Sequence, residues 1–219
     1  MGQTFDYSDQ HKIFNTDTWG WPVHLIGAGG INNLIGPTLA KMGINEIHIW
    51  DDDILEIRNC PTEVAYSYKM VGQPKVAAMA DAIYYLRPDV NVYQHQKRIT
   101  TGTQLSGIVI SGVDSMKSRQ TIWECVQNNF LEIPFFIDGR SAGEETAIFA
   151  FAPSDMDSAE IYSEDWLFDD GEALQLECGA RNIGYIADYM AAEICRLITR
   201  FHRELPVEFY RHRNFANEN

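Results

Sequence analysis

A glycine turn between an apolar strand and a helical run is the sequence feature that most constrains this chain. Residues 23–26 predict a short buried strand, Gly-Ala-Gly-Gly follows at 27–30, and residues 31–42 predict a helix. A second apolar strand at 47–50 ends in three aspartates, residues 51–53. A strand, a glycine turn, a helix and a second strand that ends in a carboxylate form the pattern of a nucleotide-binding unit.

The parts of this unit have properties that suit a nucleotide. Glycines let the backbone approach a phosphate closely, and the N-terminus of a helix offers free N–H groups and a positive dipole. A carboxylate about twenty residues further on, here Asp51, suits the ribose hydroxyls. Asn32 occupies the place of the third glycine of the dinucleotide fingerprint. A purely steric role for the glycine turn, without nucleotide binding, therefore stays open.

Composition and charge argue against several classes of protein. With 219 residues, of which 45% are hydrophobic, the chain is long enough for one substantial core. The net charge of −14 argues against nucleic acid as a partner, because a phosphate backbone attracts basic surfaces. The sequence has no apolar run long enough for a membrane span, and its polar N-terminus is unlike a secretory signal. We therefore expect a cytoplasmic protein without a membrane partner.

The cysteines lie far apart, at positions 60, 125, 178 and 195. The chain has no Cys-x-x-Cys pair, so we expect no structural zinc. Cys178, between an acidic segment and the final helix, is one candidate for a thiol that accepts an acyl group or a persulfide. Cys60, beside the predicted site, is the other. An inert packing role is the alternative for both.

Strand and helix patterns alternate along the rest of the chain. The predicted elements are a helix that starts at 72–75 and ends before Pro88, strands at 90–93, 108–110 and 134–137, a helix at 118–129, an antiparallel edge strand at 146–151, and a helix from about 182 to 202. Residues 153–177 predict an acidic loop. The fold class is α/β: a Rossmann-like three-layer domain with a mainly parallel sheet that turns antiparallel toward the C-terminus.

We expect one domain over 1–219, with an N-terminal arm at 1–20, the core at 21–203 and a charged, mobile tail at 204–219. Ligands of such sheets bind beyond the carboxyl ends of the strands, where Gly27, Asp51 and Asp114 all fall. Two alternatives without a functional role stay open. Asp114 would also suit the N-cap of the following helix, and Lys75 would also suit the solvent face of a first helical turn.

Several motifs in a fixed order extend the argument. They are Gly-Ala-Gly-Gly at 27–30, Asp-Asp-Asp at 51–53, Asn59, Val-Gly-Gln-Pro-Lys-Val at 71–76, Arg-Pro-Asp-Val at 87–90, Gly-Val-Asp at 112–114, and Cys178 shortly before the final helix. In these motifs the chain resembles the ThiF/MoeB/HesA adenylyltransferases, the bacterial relatives of ubiquitin-activating enzymes. The resemblance covers roughly residues 19–202 and implies that the predicted domain is an adenylation domain.

The resemblance also implies roles for individual residues. The residues it would place at the nucleotide are Gly27, Gly29, Gly30, Asp51, Asp53, Asn59, Lys75 and Asp114. Asp51 would accept hydrogen bonds from the ribose hydroxyls, with Asp53 assisting from the same side of the chain. Asn59 would contact phosphate or ribose. Lys75 and Asp114 would be the catalytic residues, because Lys75 would neutralise the attacked phosphate and Asp114 would hold Mg²⁺.

The implied reaction is adenylation with ATP and Mg²⁺. The C-terminal glycine carboxylate of a small ubiquitin-like or sulfur-carrier protein attacks the α-phosphate, and pyrophosphate leaves. The enzyme itself needs no nucleophile for this step. The resemblance further suggests a homodimer. It does not identify the carrier or the downstream acceptor.

The chain departs from the family pattern in its arginines. Thr62-Glu63 stands where relatives carry Arg-Gln, and residues 1–22 contain no arginine. Arg58 and Arg140 are the candidates for a replacement. A pseudoenzyme that binds a nucleotide or a partner without turnover is therefore one alternative. An NAD-dependent oxidoreductase is another, which the glycine turn alone would allow but which gives no role to Lys75 or Asp114.

Overall fold

The computed structural model describes residues 5–63, 65–168 and 183–217 of the chain. The strands are β1 (Val23–Ile26), β2 (Glu46–Trp50), β3 (Asn91–His95), β4 (Ile108–Ser111), β5 (Phe135–Ala142), β6 (Glu145–Phe151) and β7 (Tyr210–Asn214). The helices are α1 (Asn32–Met42), α2 (Lys75–Leu86), α3 (Met116–Asn128), α4 (Met156–Asp165) and α5 (Gly184–His202). Short 3-10 turns occur at Thr16–Thr18, Ile57–Asn59 and Tyr68–Met70.

The strands form one sheet in the order β3-β2-β1-β4-β5-β6-β7. Strands β1 to β5 are parallel to one another, whereas β6 is antiparallel to β5 and β7 is antiparallel to β6. The register sets Ile26 of β1 level with Trp50 of β2 and Ser111 of β4. Three parallel strands therefore end at the same edge. The predicted mainly parallel sheet that turns antiparallel is confirmed.

Helices cover both faces of the sheet. One core contains buried side chains of α1, α2 and α5 together with Val23 and Leu25 of β1. The other contains buried side chains of α3 and α4 together with Ile26 of β1. Alternate residues of one strand thus enter opposite cores, as the pleat of a strand requires. The predicted three-layer α/β fold is confirmed.

Arg87, in the Arg-Pro-Asp motif, is a structural residue. It is buried after the end of α2 and donates hydrogen bonds to the carbonyl oxygens of Ala40 (3.1 Å) and Ile44 (3.2 Å). Its Nε also pairs with Asp89 at 3.1 Å. A single guanidinium therefore satisfies carbonyls at the C-terminal end of α1, and Pro88 follows where α2 cannot continue.

The structure differs from the prediction in the C-terminal third. The expected acidic loop at 153–177 contains α4, in which only Ala159 and Tyr162 are buried, so its helical period is faint in the sequence. The tail was expected to be mobile, but it supplies β7, which pairs with β6. Arg211 of β7 forms an ion pair at 3.1 Å with the buried Glu193 of α5. A short polar strand of this kind depends on tertiary contacts.

Strand and helix ends also shift. β5 continues through Asp138 to Ala142, because its second half forms a hairpin with β6. α3 begins at Met116 because the Ser115 side chain caps it. β3 spans Asn91–His95 and not 90–93. Within the described ranges, no helix is long and apolar enough to cross a membrane.

A ladder of rings stands on one face of β1, β2 and β3. His24 stacks on His48 with ring centroids 4.4 Å apart, and Trp50 stacks on His95 at 3.7 Å. Trp50 Nε1 donates to His24 Nδ1 at 3.1 Å. Burial, together with the neighbouring His48 and His95, lowers the pKa of His24 from 6.5 to about 3. His24 is therefore a neutral core residue that accepts a proton only at a cost.

We expect acid to destabilise the fold through His24. Because its pKa is lower in the folded state than in the unfolded chain, stability falls as the pH drops below about 6.5. The loss should reach about 2 kcal/mol near pH 5. His24→Asn keeps an acceptor for Trp50 and should lose less stability between about pH 7.5 and pH 5. Urea unfolding at both pH values measures this.

The control for this prediction is His11→Asn, which removes a histidine with a half-exposed side chain from the N-terminal arm. It should behave as the parent protein does. An equal acid-induced loss in the parent and in His24→Asn would contradict the assignment.

Candidate active site

The site lies where β1, β2 and β4 end. Gly27 has φ of 86°, and its N–H donates to Trp50 O at 2.8 Å. The Gly112 N–H donates to Ile26 O at 2.9 Å. A Cβ on Gly27 would stand 2.9 Å from Gly112 O, so only glycine fits there. The turn after β1 and the loop after β4 are therefore in close backbone contact.

The buried side chains of Asn32 and Asn33 stabilise the glycine turn by hydrogen bonds. Asn32 Nδ2 donates to Ile26 O (3.0 Å) and Gly27 O (2.8 Å). Asn33 Nδ2 donates to Gly29 O (2.8 Å) and Gly30 O (2.6 Å). Asn32 thus stabilises the turn by hydrogen bonds, in the position where the dinucleotide fingerprint has its third glycine.

The hydrogen bonds of Asn33 also set the direction in which the N–H groups of the turn point. In a trans peptide the C=O and the following N–H point in opposite directions. Because Asn33 takes the carbonyls of Gly29 and Gly30, the N–H groups of Gly30 and Ile31 point away from it. They lie at the start of α1, where the helix dipole favours an anion.

Asp51, at the end of β2, is tied to the glycine turn. Its Oδ2 accepts from Ala28 N at 2.7 Å and its Oδ1 accepts from Asp53 N at 2.8 Å. Burial raises the pKa of Asp51, and these two backbone hydrogen bonds oppose the rise. A carboxylate has about four acceptor positions, so Asp51 can accept further hydrogen bonds.

Lys75, the first residue of α2, is buried rather than solvent-facing. Its Nζ lies 3.0 Å from Glu63 Oε1 and 3.8 Å from Asp53 Oδ2. Burial alone would lower the pKa of Lys75, but the carboxylate of Glu63 outweighs it and raises that pKa. The ammonium therefore stays charged beside the acidic end of β2. The solvent-facing alternative for Lys75 is wrong.

Asp114 lies beyond the end of β4 and is exposed. Ser115 is the N-cap of α3, and its side chain accepts from Ser118 N at 3.2 Å. The N-cap alternative for Asp114 is therefore wrong, and its carboxylate faces outward at the edge. Arg119 donates to the carbonyl of the preceding Val113 and so fixes the loop that carries Asp114.

The side-chain oxygen of Asn59 is engaged in a hydrogen bond within its own turn. Its Oδ1 accepts from Glu56 N at 2.8 Å in the 3-10 turn Ile57–Asn59. Arg58 of the same turn is exposed and paired with Glu56 at 2.8 Å. The side-chain amide donors of Asn59 are the groups left for a nucleotide.

Arg140 is part of a buried ion cluster. Asp138 is fully buried, and Arg140 Nε lies 2.6 Å and Arg119 Nε 3.1 Å from its carboxylate. Burial alone would raise the pKa of Asp138, but the two guanidinium groups outweigh it and lower that pKa. Tyr162 donates to the same carboxylate at 3.0 Å. Arg140 is therefore a structural residue and does not replace the missing arginine.

Sequence reasoning gave no role to two charged residues at this edge. Glu63 is buried against Lys75, and Arg98 binds both oxygens of Asp52 at 2.9 Å. The signal for Glu63 was an acid in the place where the family resemblance implied glutamine. The signal for Arg98 was weaker, because it stands in a polar connection with no periodic pattern. The carboxylates of residues 51–53 lie within 4.8 Å of one another, and the cations Lys75 and Arg98 oppose their charge.

The cysteine predictions have a mixed outcome. Cys178 lies outside the described residues, so its proposed thiol chemistry stays a prediction. Cys60 is half-buried beside the turn of Asn59. Cys125 and Cys195 are buried, and burial raises the pKa of their thiols to about 11 and about 12. Those two are inert packing residues.

The model of the ThiF family matches residues 2–218. The chain belongs to the ThiF family. The resemblance read from the sequence motifs is thereby confirmed.

Individual ThiF-family relatives are distant. Ubiquitin-like modifier-activating enzyme 5 of Culex quinquefasciatus is 26% identical over 110 residues, which are 48% of this chain and 28% of that protein. Adenylyltransferase and sulfurtransferase MOCS3 of Arabidopsis thaliana is 27% identical over 108 residues, 47% of this chain and 23% of that protein. The match thus spans about a quarter of these relatives' length.

Solved structures share the fold over more of the chain. E. coli MccB has a TM-score of 0.74 at 15% identity and covers 100% of this chain and 69% of its own. PaaA has a TM-score of 0.70 at 15% identity and covers 98% of this chain and 67% of its own. At this identity the likeness concerns the fold alone.

Proposed function

We propose that this ThiF-family chain uses ATP to adenylate the C-terminal glycine carboxylate of a small ubiquitin-like or sulfur-carrier protein, with release of pyrophosphate. The observation that best supports this is the buried ammonium of Lys75 beside the acidic end of β2, which also carries Asp51. One edge of the sheet then carries a cation, a carboxylate of the kind that binds ribose hydroxyls, and a helix N-terminus that favours an anion.

In this proposal the nucleotide lies across the glycine turn. The outward N–H groups of Gly30 and Ile31 would donate to phosphate oxygens. The free acceptor positions of Asp51 would take the ribose hydroxyls. The amide donors of Asn59 would add a contact to ribose or phosphate.

The chemistry is a displacement at phosphorus. The carrier carboxylate would form a bond to the α-phosphorus while the bond to pyrophosphate breaks. Lys75 would neutralise negative charge on the phosphate as the displacement proceeds, and such preorganised charge is the largest contribution a protein makes to this kind of step. The enzyme itself supplies no nucleophile.

A magnesium ion fits the donor set of this edge. Mg²⁺ prefers carboxylate oxygens and keeps several waters, and Asp114 offers an exposed carboxylate at the end of β4. Asp114 would therefore hold the ion. When bound, Mg²⁺ supplies charge neutralisation at the phosphates.

The known proteins support the substrate class. MccB has been solved with ATP, and with AMPCPP together with MccA. Two curated relatives are named for ubiquitin-like modifier activation and for adenylyl and sulfur transfer. For this chain the carrier, the predicted homodimer and any acyl transfer to Cys178 or Cys60 stay proposals. The first carrier to test is a small protein with a Gly-Gly end encoded beside this chain.

One specific observation favours a second candidate. Lys75 is already paired with Glu63 at 3.0 Å, in a chain that has Thr62-Glu63 where relatives carry Arg-Gln. A site with its cation neutralised suits a module that binds a nucleotide or a partner without turnover. Carrier-dependent exchange of pyrophosphate into ATP separates the two candidates, because only an enzyme gives it.

We expect MgATP to raise the melting temperature, since a ligand that binds only the folded state stabilises it. NADH should cause no shift, because a dinucleotide gives no role to Lys75 or Asp114. Thermal melts with each nucleotide in large excess measure this. A shift with NADH and none with MgATP would favour the oxidoreductase alternative over the proposal.

Lys75→Ala should lower carrier-dependent pyrophosphate exchange by at least about 100-fold, because it removes the charge that stabilises the reacting phosphate. The variant should still fold but melt at a lower temperature than the parent, because the buried Glu63 loses its counter-ion, and melting in the absence of nucleotide would verify this. Lys69→Ala, which removes an exposed lysine from the 3-10 turn Tyr68–Met70, is the matched control. Exchange near the parent rate in Lys75→Ala would show that Lys75 is not at the phosphate.

A further inference from the structure

Glu63 forms a buried ion pair with Lys75 at the foot of the glycine turn. The two side chains are 6% and 9% exposed, and Oε1 of Glu63 lies 3.0 Å from Nζ of Lys75. The same Oε1 is 3.8 Å from the place where a Cβ on Gly29 would stand. Glu63 therefore reaches the turn to which the phosphates are assigned.

The second oxygen of Glu63 is unsatisfied. Oε2 is buried and has no hydrogen-bond partner among the described residues. A buried carboxylate usually accepts several hydrogen bonds or pairs with more than one cation. Here its charge depends on a single ammonium.

The charges around Glu63 are mostly negative. The groups that act on it are Lys75 at the start of α2, Asp51 and Asp53 at the end of β2, and the hydroxyl of Tyr66 in the following loop. Three carboxylates thus share one cation. A phosphate that approaches Lys75 competes with Glu63 for that cation.

Resting on the proposed function, we propose that Glu63 gates phosphate binding at Lys75: the nucleotide phosphate takes over the ammonium only as Glu63 takes up one proton from solvent. The protonated carboxylic acid is neutral and has nearly the shape of a glutamine side chain.

Electrostatics favour this exchange. A buried carboxylate that loses its counter-ion is costly, and protonation relieves that cost. Burial already raises the pKa of Glu63, and Lys75 is the group that opposes the rise. When a phosphate takes the ammonium, that opposition weakens and a further negative charge comes near.

Calorimetric titration with MgATP, without carrier, tests the proposal. Runs in buffers of different ionisation enthalpy give the number of protons taken up. The parent protein should take up close to one proton near pH 7.5, and its Kd should rise by up to about tenfold per pH unit where the exchange operates. Glu63→Gln should take up close to none, bind more tightly at about pH 8 and show a flatter pH profile than the parent.

The control is Glu124→Gln, which removes an equal charge from the exposed side of α3 and should keep the parent's proton uptake. A merely structural ion pair, or a general charge effect, would shift Kd equally at every pH. Proton uptake near zero in the parent protein alone overturns the proposal, even if Glu63→Gln does not fold. So does equal uptake in parent and variant, with adenylation left standing. Failure of both proteins to bind MgATP would remove the proposed function as well.

Discussion

The in-register ends of three parallel strands are the constraint on which the rest of the site depends. Ile26, Trp50 and Ser111 stand level in β1, β2 and β4, so the segments that follow them leave the sheet at one edge. The glycine turn then packs against the loop after β4 with no room for a side chain at Gly27. A one-residue slip would invert the faces of a strand and separate these groups.

The charges at this edge explain how it could bind a nucleotide and also why its affinity would be tuned. Backbone N–H groups and one buried ammonium attract phosphate, whereas the carboxylates at residues 51–53 and Glu63 repel it. The arginine network farther along the sheet takes no direct part. Arg119 and Arg140 neutralise the buried Asp138, and Arg119 fixes the loop before Asp114.

Sequence patterns predicted most of the parallel half of the fold because β1, β4 and α2 are rich in apolar residues and are bounded by glycine or proline. They also predicted which acids end the strands. They missed α4 and β7, whose short polar segments depend on packing against β6 and on the Glu193–Arg211 ion pair. The pairing of Lys75 with Glu63 joins residues twelve positions apart, and no local pattern reports such a contact.

The edge formed by β1, β2 and β4 is proposed to bind a nucleotide through Lys75 and Asp51. The most direct measurement is a crystal structure of the chain with Mg²⁺ and the α,β-methylene analogue of ATP. We expect the ribose hydroxyls to lie against the Asp51 carboxylate and the phosphate oxygens to lie between the Gly30 N–H group and Lys75 Nζ. A nucleotide bound elsewhere, with Lys75 still paired to Glu63 and no phosphate at the glycine turn, would contradict it.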